Sequence, residues 1–135
     1  MYKRILVPVV FDDGHDTQAS FEIARVLGAE DAQFTVLHVM EITPGYVSAQ
    51  IPEEVLDNCR QELDGLLQKA AQALPAATPM MANGKPGRVI VDTASDLGID
   101  CIVMASHQPG LENLIIGSTA DWVVRHAHCS VHVMR

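Results

Sequence analysis

Continuous apolar runs alternate with amphipathic stretches along the whole chain. Residues 4–10, RILVPVV, form an unbroken β-rich run, the pattern of a strand buried on both faces. Over 16–28 the apolar spacing turns helical, with Phe21, Ala24, Leu27 and Gly28 sharing one face. QFTVLHVM at 33–40 predicts a second strand, and the Thr-Pro-Gly that follows marks a loop over 41–51.

The longest predicted helix covers 52–74. Pro52 suits its first position, and Glu53 and Glu54 suit the positive end of the helix dipole. Val55, Cys59, Leu63, Leu66, Leu67, Ala70 and Leu74 mark its buried stripe, and Pro75 stops it. TPMMANG at 78–84 reads as a third strand, which Pro79 places at a sheet edge. A helix over 86–97 buries Val89, Ile90, Thr93, Ala94 and Leu97 and ends at Gly98. DCIVMAS at 100–106 is another core strand. A helix over 118–127 buries Ala120, Val123, Val124 and Ala127, and SVHVMR at 130–135 is the last strand.

Nine alternating elements, with no linker and no repeat, predict a single α/β domain over 1–135. Strand–helix alternation implies a parallel sheet with helices on both faces. Such sheets bind ligands beyond the carboxyl ends of the strands, where the strand order reverses. The simplest reversal lies between the first strand and CIVMAS, which singles out loops 8–15, 39–51 and 105–118.

Composition narrows the partners. Apolar residues make up 48% of the chain, enough for a core. The formal charge is −8, from 9 basic and 17 acidic residues. Nucleic acids and acidic membranes need clustered Lys and Arg, so neither is expected as a partner. A single nucleotide remains open, because backbone N–H groups can hold its phosphates. The first apolar run is too short for a signal-peptide core or a membrane span, so a cytoplasmic protein is expected. Cys59, Cys101 and Cys129 are widely spaced without a C-x-x-C, and read as small buried hydrophobes. His126, His128, Cys129 and His132 lie close in sequence but match no standard metal spacing. They read as a solvated helix end and strand, and no metal site is assigned.

In the flagged loops, GSTAD at 117–121 reads as a helix start. Ser118 caps it, Asp121 makes a box-like pair with Ser118, and Gly117 allows a tight turn that brings N–H groups forward. Those groups and the dipole form an anion site; the alternative is an ordinary capped helix. Upstream, Ala105, Ser106, His107, Gln108 and Pro109 precede Gly110, which is neither a Walker loop nor G-x-G-x-x-G. Asp12 and Asp13 could bond a ribose hydroxyl or help hold Mg²⁺, or simply form a polar turn with Gly14. His107 is the best single candidate for touching a phosphate, with His15 next. No paired acid and base is visible, so no catalytic residue is assigned.

ILVPVV near the start, VLHVM at 36–40 and GSTADWVVRHAHCSVHVMR at 117–135 together resemble the universal stress protein family. The resemblance spans nearly the whole chain, and its C-terminal block is the specific part. It implies a Rossmann-like, adenine nucleotide alpha-hydrolase-like fold with a five-stranded parallel sheet in the order 3-2-1-4-5, and homodimers. Many members bind ATP and carry G-x-x-G-x9-G-[ST]. Here the first two glycine positions fall on Ala105 and Gln108, eight residues separate Gln108 from Gly117, and Ser118 follows. ASHQP before IIGS is similar to the small F/G-type branch, whose loop runs A-S-H-[basic]-P. Gln108 stands where that branch often has a basic residue. Val10 stands where ATP-binding members place aspartate, and Asp12 substitutes only if the loop path shifts.

Carried over by position, the resemblance implies that Pro8, Val9 and Val10 line the nucleoside pocket, and Val39 offers backbone groups to adenine. Ala105, Gln108, Gly117, Ser118 and Thr119 surround the phosphates, and Gly84 packs near the pocket. The expected function is a stress-response homodimer that binds ATP or another adenine nucleotide, paired through strand 130–135. The alternative is a nucleotide-free interaction module with a degenerate phosphate loop. A weak ATPase is a third reading.

Overall fold

The structure, a computed structural model, describes residues 1–11, 17–41, 50–106 and 117–134. The elements run β1 (Tyr2–Pro8), α1 (Thr17–Leu27), β2 (Gly28–Met40), α2 (Glu53–Ala71), β3 (Ala77–Asn83), α3 (Pro86–Asp96), β4 (Cys101–Ala105), α4 (Ser118–His126) and β5 (Ser130–Met134). The five strands pair in parallel in the order β3-β2-β1-β4-β5, as the sequence resemblance implies.

The continuous run of β1 is buried because helices cover both faces. Ile5 and Val7 point to one cluster, with Phe21 and Ala24 of α1 and Leu67 and Ala71 of α2. Leu6 points the other way, to Ile90 and Ala94 of α3 and Ala120 and Val123 of α4. This two-residue alternation is the strand period. Asp100 ties β1 to the start of β4, accepting the Lys3 and Arg4 N–H groups on its two carboxylate oxygens at 2.9 and 3.0 Å.

Strand β1 ends at Pro8, so Val9 and Val10 lie just beyond it, although the Val9 N–H still donates to Leu37 O at 2.8 Å. Strand β2 begins at Gly28, which the helical spacing had placed on the first helix. Pro79 does lie on an edge strand, where its missing N–H breaks no outer ladder. Gly98, at φ +65°, ends α3 in a Schellman turn: Ile99 N–H donates to Ala94 O at 2.9 Å and Gly98 N–H to Ser95 O at 3.3 Å.

Several helix faces differ from expectation. In α2 only Leu67 and Ala71 are buried, while Val55 and Leu66 are about half exposed and Cys59 is exposed. Leu67 and Ala71, four residues apart, share one line of the helix surface, and Leu66 points away from it. Leu97 and Val124 are also exposed, and Val89 is half-buried. Of the cysteines, Cys101 is buried and Cys129 partly so, but Cys59 is not a core residue.

Candidate nucleotide site

Strands β1 and β4 pair only at Ile5↔Cys101 and Leu6↔Ile102, whereas β1 follows β2 as far as Pro8↔Leu37. Past Leu6 the two central strands part, at the reversal of strand order. A cavity of about 600 Å³ occupies the gap, within the usual range for small-molecule sites.

Pro8, Val9 and Val10 enter its lining from β1 and the residues after it, and Val39 and the exposed Glu41 from β2 and just beyond. Ala105 and Ser106 enter from the end of β4, and Gly117, Ser118 and Thr119 from the start of α4. All of these but Glu41 are expected in the site, and those nine do come together. Gly84 does not line the cavity; it closes β3 at φ +140°, where a Cβ would lie 2.7 Å from Val89 Cγ2. Asp12, His107 and Gln108 lie outside the described residues, as do Asp13 and His15.

The helix start differs in detail from the capping box. Gly117, not Ser118, is the N-cap, with φ −58° and ψ 153°, and no side chain among the described residues caps the helix. The Gly117 carbonyl already accepts the Asp121 N–H at 2.9 Å, which places Ser118 inside the first turn. Asp121 instead pairs with Arg125, at 3.1 Å. Nor does Gly117 need glycine for its backbone, since any L-residue adopts that φ. Among the described residues, a Cβ there would find only Ser106 Oγ, at 3.6 Å. The N–H groups of Ser118, Thr119 and Ala120 precede the first intrahelical bond and have no partner within the helix. The anion-binding capacity of this helix start therefore comes from its backbone.

Sequence reasoning chose Val39 and passed over its neighbour His38. The His38 ring is buried against the cavity, 5.4 Å from the Phe11 ring. Its Nδ1 lies 3.1 Å from Val9 O; a carbonyl only accepts, so Nδ1 carries the proton. His38 thereby fixes the path of the backbone just after β1. A histidine inside an otherwise apolar run at a strand's carboxyl end was the available signal. Thr17 and Ser20 of α1 and Pro86 of α3 also line the cavity. Among the described residues, no group of three or more His, Cys, Asp or Glu side chains could share a metal ion.

The sequence profile of the universal stress protein family matches residues 1–135. The chain belongs to the universal stress protein family. Among its relatives, a universal stress protein of Methanocaldococcus jannaschii is 29% identical, covering 100% of this chain and 83% of that protein. Universal stress protein G of Escherichia coli O157:H7 is 26% identical, with 100% of both chains covered. The solved universal stress protein UspA of Lactobacillus plantarum matches with a TM-score of 0.73 and 28% identity, over 99% of this chain and 98% of that one. A universal stress protein solved in complex with cAMP shares the fold, with a TM-score of 0.66 and 19% identity over 99% and 97% of the chains. So does one from Archaeoglobus fulgidus in complex with dAMP, with a TM-score of 0.59 and 20% identity over 99% and 98%.

Proposed function

We propose that this universal stress protein binds ATP or a related adenine nucleotide in the cavity between β1 and β4. The observation that carries this reading is the start of α4 on the cavity wall, where the first-turn N–H groups have no partner within the helix. Pro8, Val9, Val10 and Val39 would hold the adenosine, with Val39 facing the base through its backbone. Ser106, Gly117, Ser118 and Thr119 would hold the phosphates, using the first-turn N–H groups of α4 that have no partner within the helix. Gly117 supports the assignment: the fold does not require glycine there, but close approach of an anion to the backbone does. The cAMP and dAMP complexes of relatives of the same fold are consistent with this ligand class.

The reading is of binding and signalling rather than turnover, in a cytoplasmic homodimer paired through the edge strand β5. Among the described residues of the cavity wall, His38 bonds a backbone carbonyl and not a carboxylate, so it is not set up as a base, and the carboxylate of Glu41 is exposed. The nucleotide supplies a charge and a shape that a partner can read. Calorimetric titration of ATP into ligand-stripped protein, with and without Mg²⁺, tests the proposal. Saturable binding is expected, and no heat at millimolar ATP would sink it. Light scattering tests the dimer; a monomer at assay concentration rules that part out.

One observation favours the second reading, a nucleotide-free interaction module. Val10 is 43% exposed at the cavity mouth and offers the ribose no hydrogen bond. A protein that dimerises but ignores all adenine nucleotides would be that module.

A further inference from the structure

A second cavity, of about 240 Å³, opens beside the first and shares Pro86, Ser118 and Thr119 with it. Lys85, Arg88 and Trp122 help to complete its wall, and among the described residues no acidic one lines it. In a chain of net charge −8, two cations on one small wall are a local exception. Neither cation has an ion-pair partner among the described residues, and the nearby Asp121 is already paired with Arg125.

The placement of these cations is unfavourable for the protein alone. Lys85 is the N-cap of α3, Arg88 lies in its first turn, and that turn holds no acidic residue. Both charges thus sit at the positive end of the helix dipole, where anions are stabilised and cations are not. They are also three residues apart, close enough to repel each other. An anion between them would relieve both effects. The shared wall of Ser118 and Thr119 puts that anion next to the phosphate end of the first cavity.

We propose that this second cavity is a polyphosphate subsite, in which Lys85 and Arg88 receive the terminal phosphates of the bound nucleotide. The inference rests on the nucleotide reading above and extends it: the basic pair makes the site favour nucleotides with a phosphate chain over monophosphates.

The test compares the wild type with the double variant Lys85→Gln/Arg88→Gln. Both side chains are exposed, so the variant should fold. AMP and ATP are titrated by calorimetry. Inorganic tripolyphosphate is followed by the fluorescence of Trp122, the chain's single tryptophan. The wild type is expected to prefer ATP over AMP by about tenfold, and the double variant to lose that preference with AMP affinity unchanged. Tripolyphosphate should shift Trp122 emission saturably in the wild type and not in the variant. An ATP-to-AMP ratio that is the same in both proteins overturns the subsite and leaves the nucleotide reading standing. Binding of tripolyphosphate but of neither nucleotide overturns the nucleotide reading and keeps the basic cavity as a polyphosphate site. Tripolyphosphate acting equally on both proteins overturns the role of the pair.

Discussion

Ser106 Oγ accepts the Gly117 N–H at 2.8 Å, joining the end of β4 to the N-cap of α4 across eleven positions of sequence. Ser106 is almost fully buried, so this bond has little competition from water. It holds the start of the helix against the cavity wall. Ser106→Ala leaves the Gly117 N–H without its partner and should cost about 1–2 kcal/mol of stability. Nucleotide affinity should fall as well, with partial recovery in Ser106→Thr. Chemical denaturation and calorimetry on the three proteins check both effects.

Gly117→Val separates fold from function. The backbone at 117 suits any L-residue, and among the described residues the new Cβ meets only Ser106 Oγ, at ordinary contact distance. Stability should change by less than about 1 kcal/mol, the scale of an N-cap exchange. Nucleotide affinity should fall by about tenfold or more, because the side chain enters the space assigned to phosphate. Equal affinity in the two proteins would remove Gly117 from the site.

Two glycines predict opposite outcomes for one substitution. A Cβ on Gly87 would lie 2.7–2.9 Å from Cδ1, Cγ and Cβ of Trp122, and the Trp122 Cβ is close to its backbone and cannot swing away. Gly87→Ala should destabilise by about 1–3 kcal/mol and shift the tryptophan emission. Gly65, inside α2, has nothing among the described residues within 4 Å of a built Cβ. Gly65→Ala should stabilise by about 0.5–1 kcal/mol through helix propensity. Thermal unfolding of both variants reads the contrast.

Cys101 ties stability to alkaline pH. Burial, then the neighbouring Cys129 and Asp100, raises its thiol from 9.0 to about 11. The folded state therefore keeps a proton that the unfolded state releases above its own lower value. The stabilising effect is complete below about pH 9 and is lost as pH rises towards 11, on the order of 2–3 kcal/mol in all. Urea unfolding at pH 8 and pH 10.5 should show a larger loss for the wild type than for Cys101→Ala. Equal losses would assign the alkaline drop to other groups.

The alternating order of elements was legible in the sequence because each has one dominant period. Ile5, Leu6 and Val7 all read as buried, and they are, on two opposite faces. Gly98 read as the end of α3 because its positive φ is a purely local demand. The misses share a different cause. Helical spacing shows which side of α2 is apolar, but not how much of that side is covered, and Val55 and Leu66 are about half exposed. Side-chain type pointed to Ser118 as the cap, whereas the extended ψ of Gly117 decides the boundary. His38 gains its place in the site from Val9 O, a partner twenty-nine residues away that no local pattern reveals. The second cavity is equally hidden, since it joins residues 85–88 to residues 118–122.

The parting of β1 and β4 after Leu6 has a mechanical consequence. The sheet is two panels, β3-β2-β1 and β4-β5, stitched by the two paired positions at one end of the central seam and by Asp100 below them. A molecule seated in the open end would touch Pro8 to Val10 on one side and Ala105, Ser106 and Gly117 to Thr119 on the other. It would act as a clasp, completing a join that the backbone leaves unfinished, so that loading the site stiffens the panel carrying the outer edge β5.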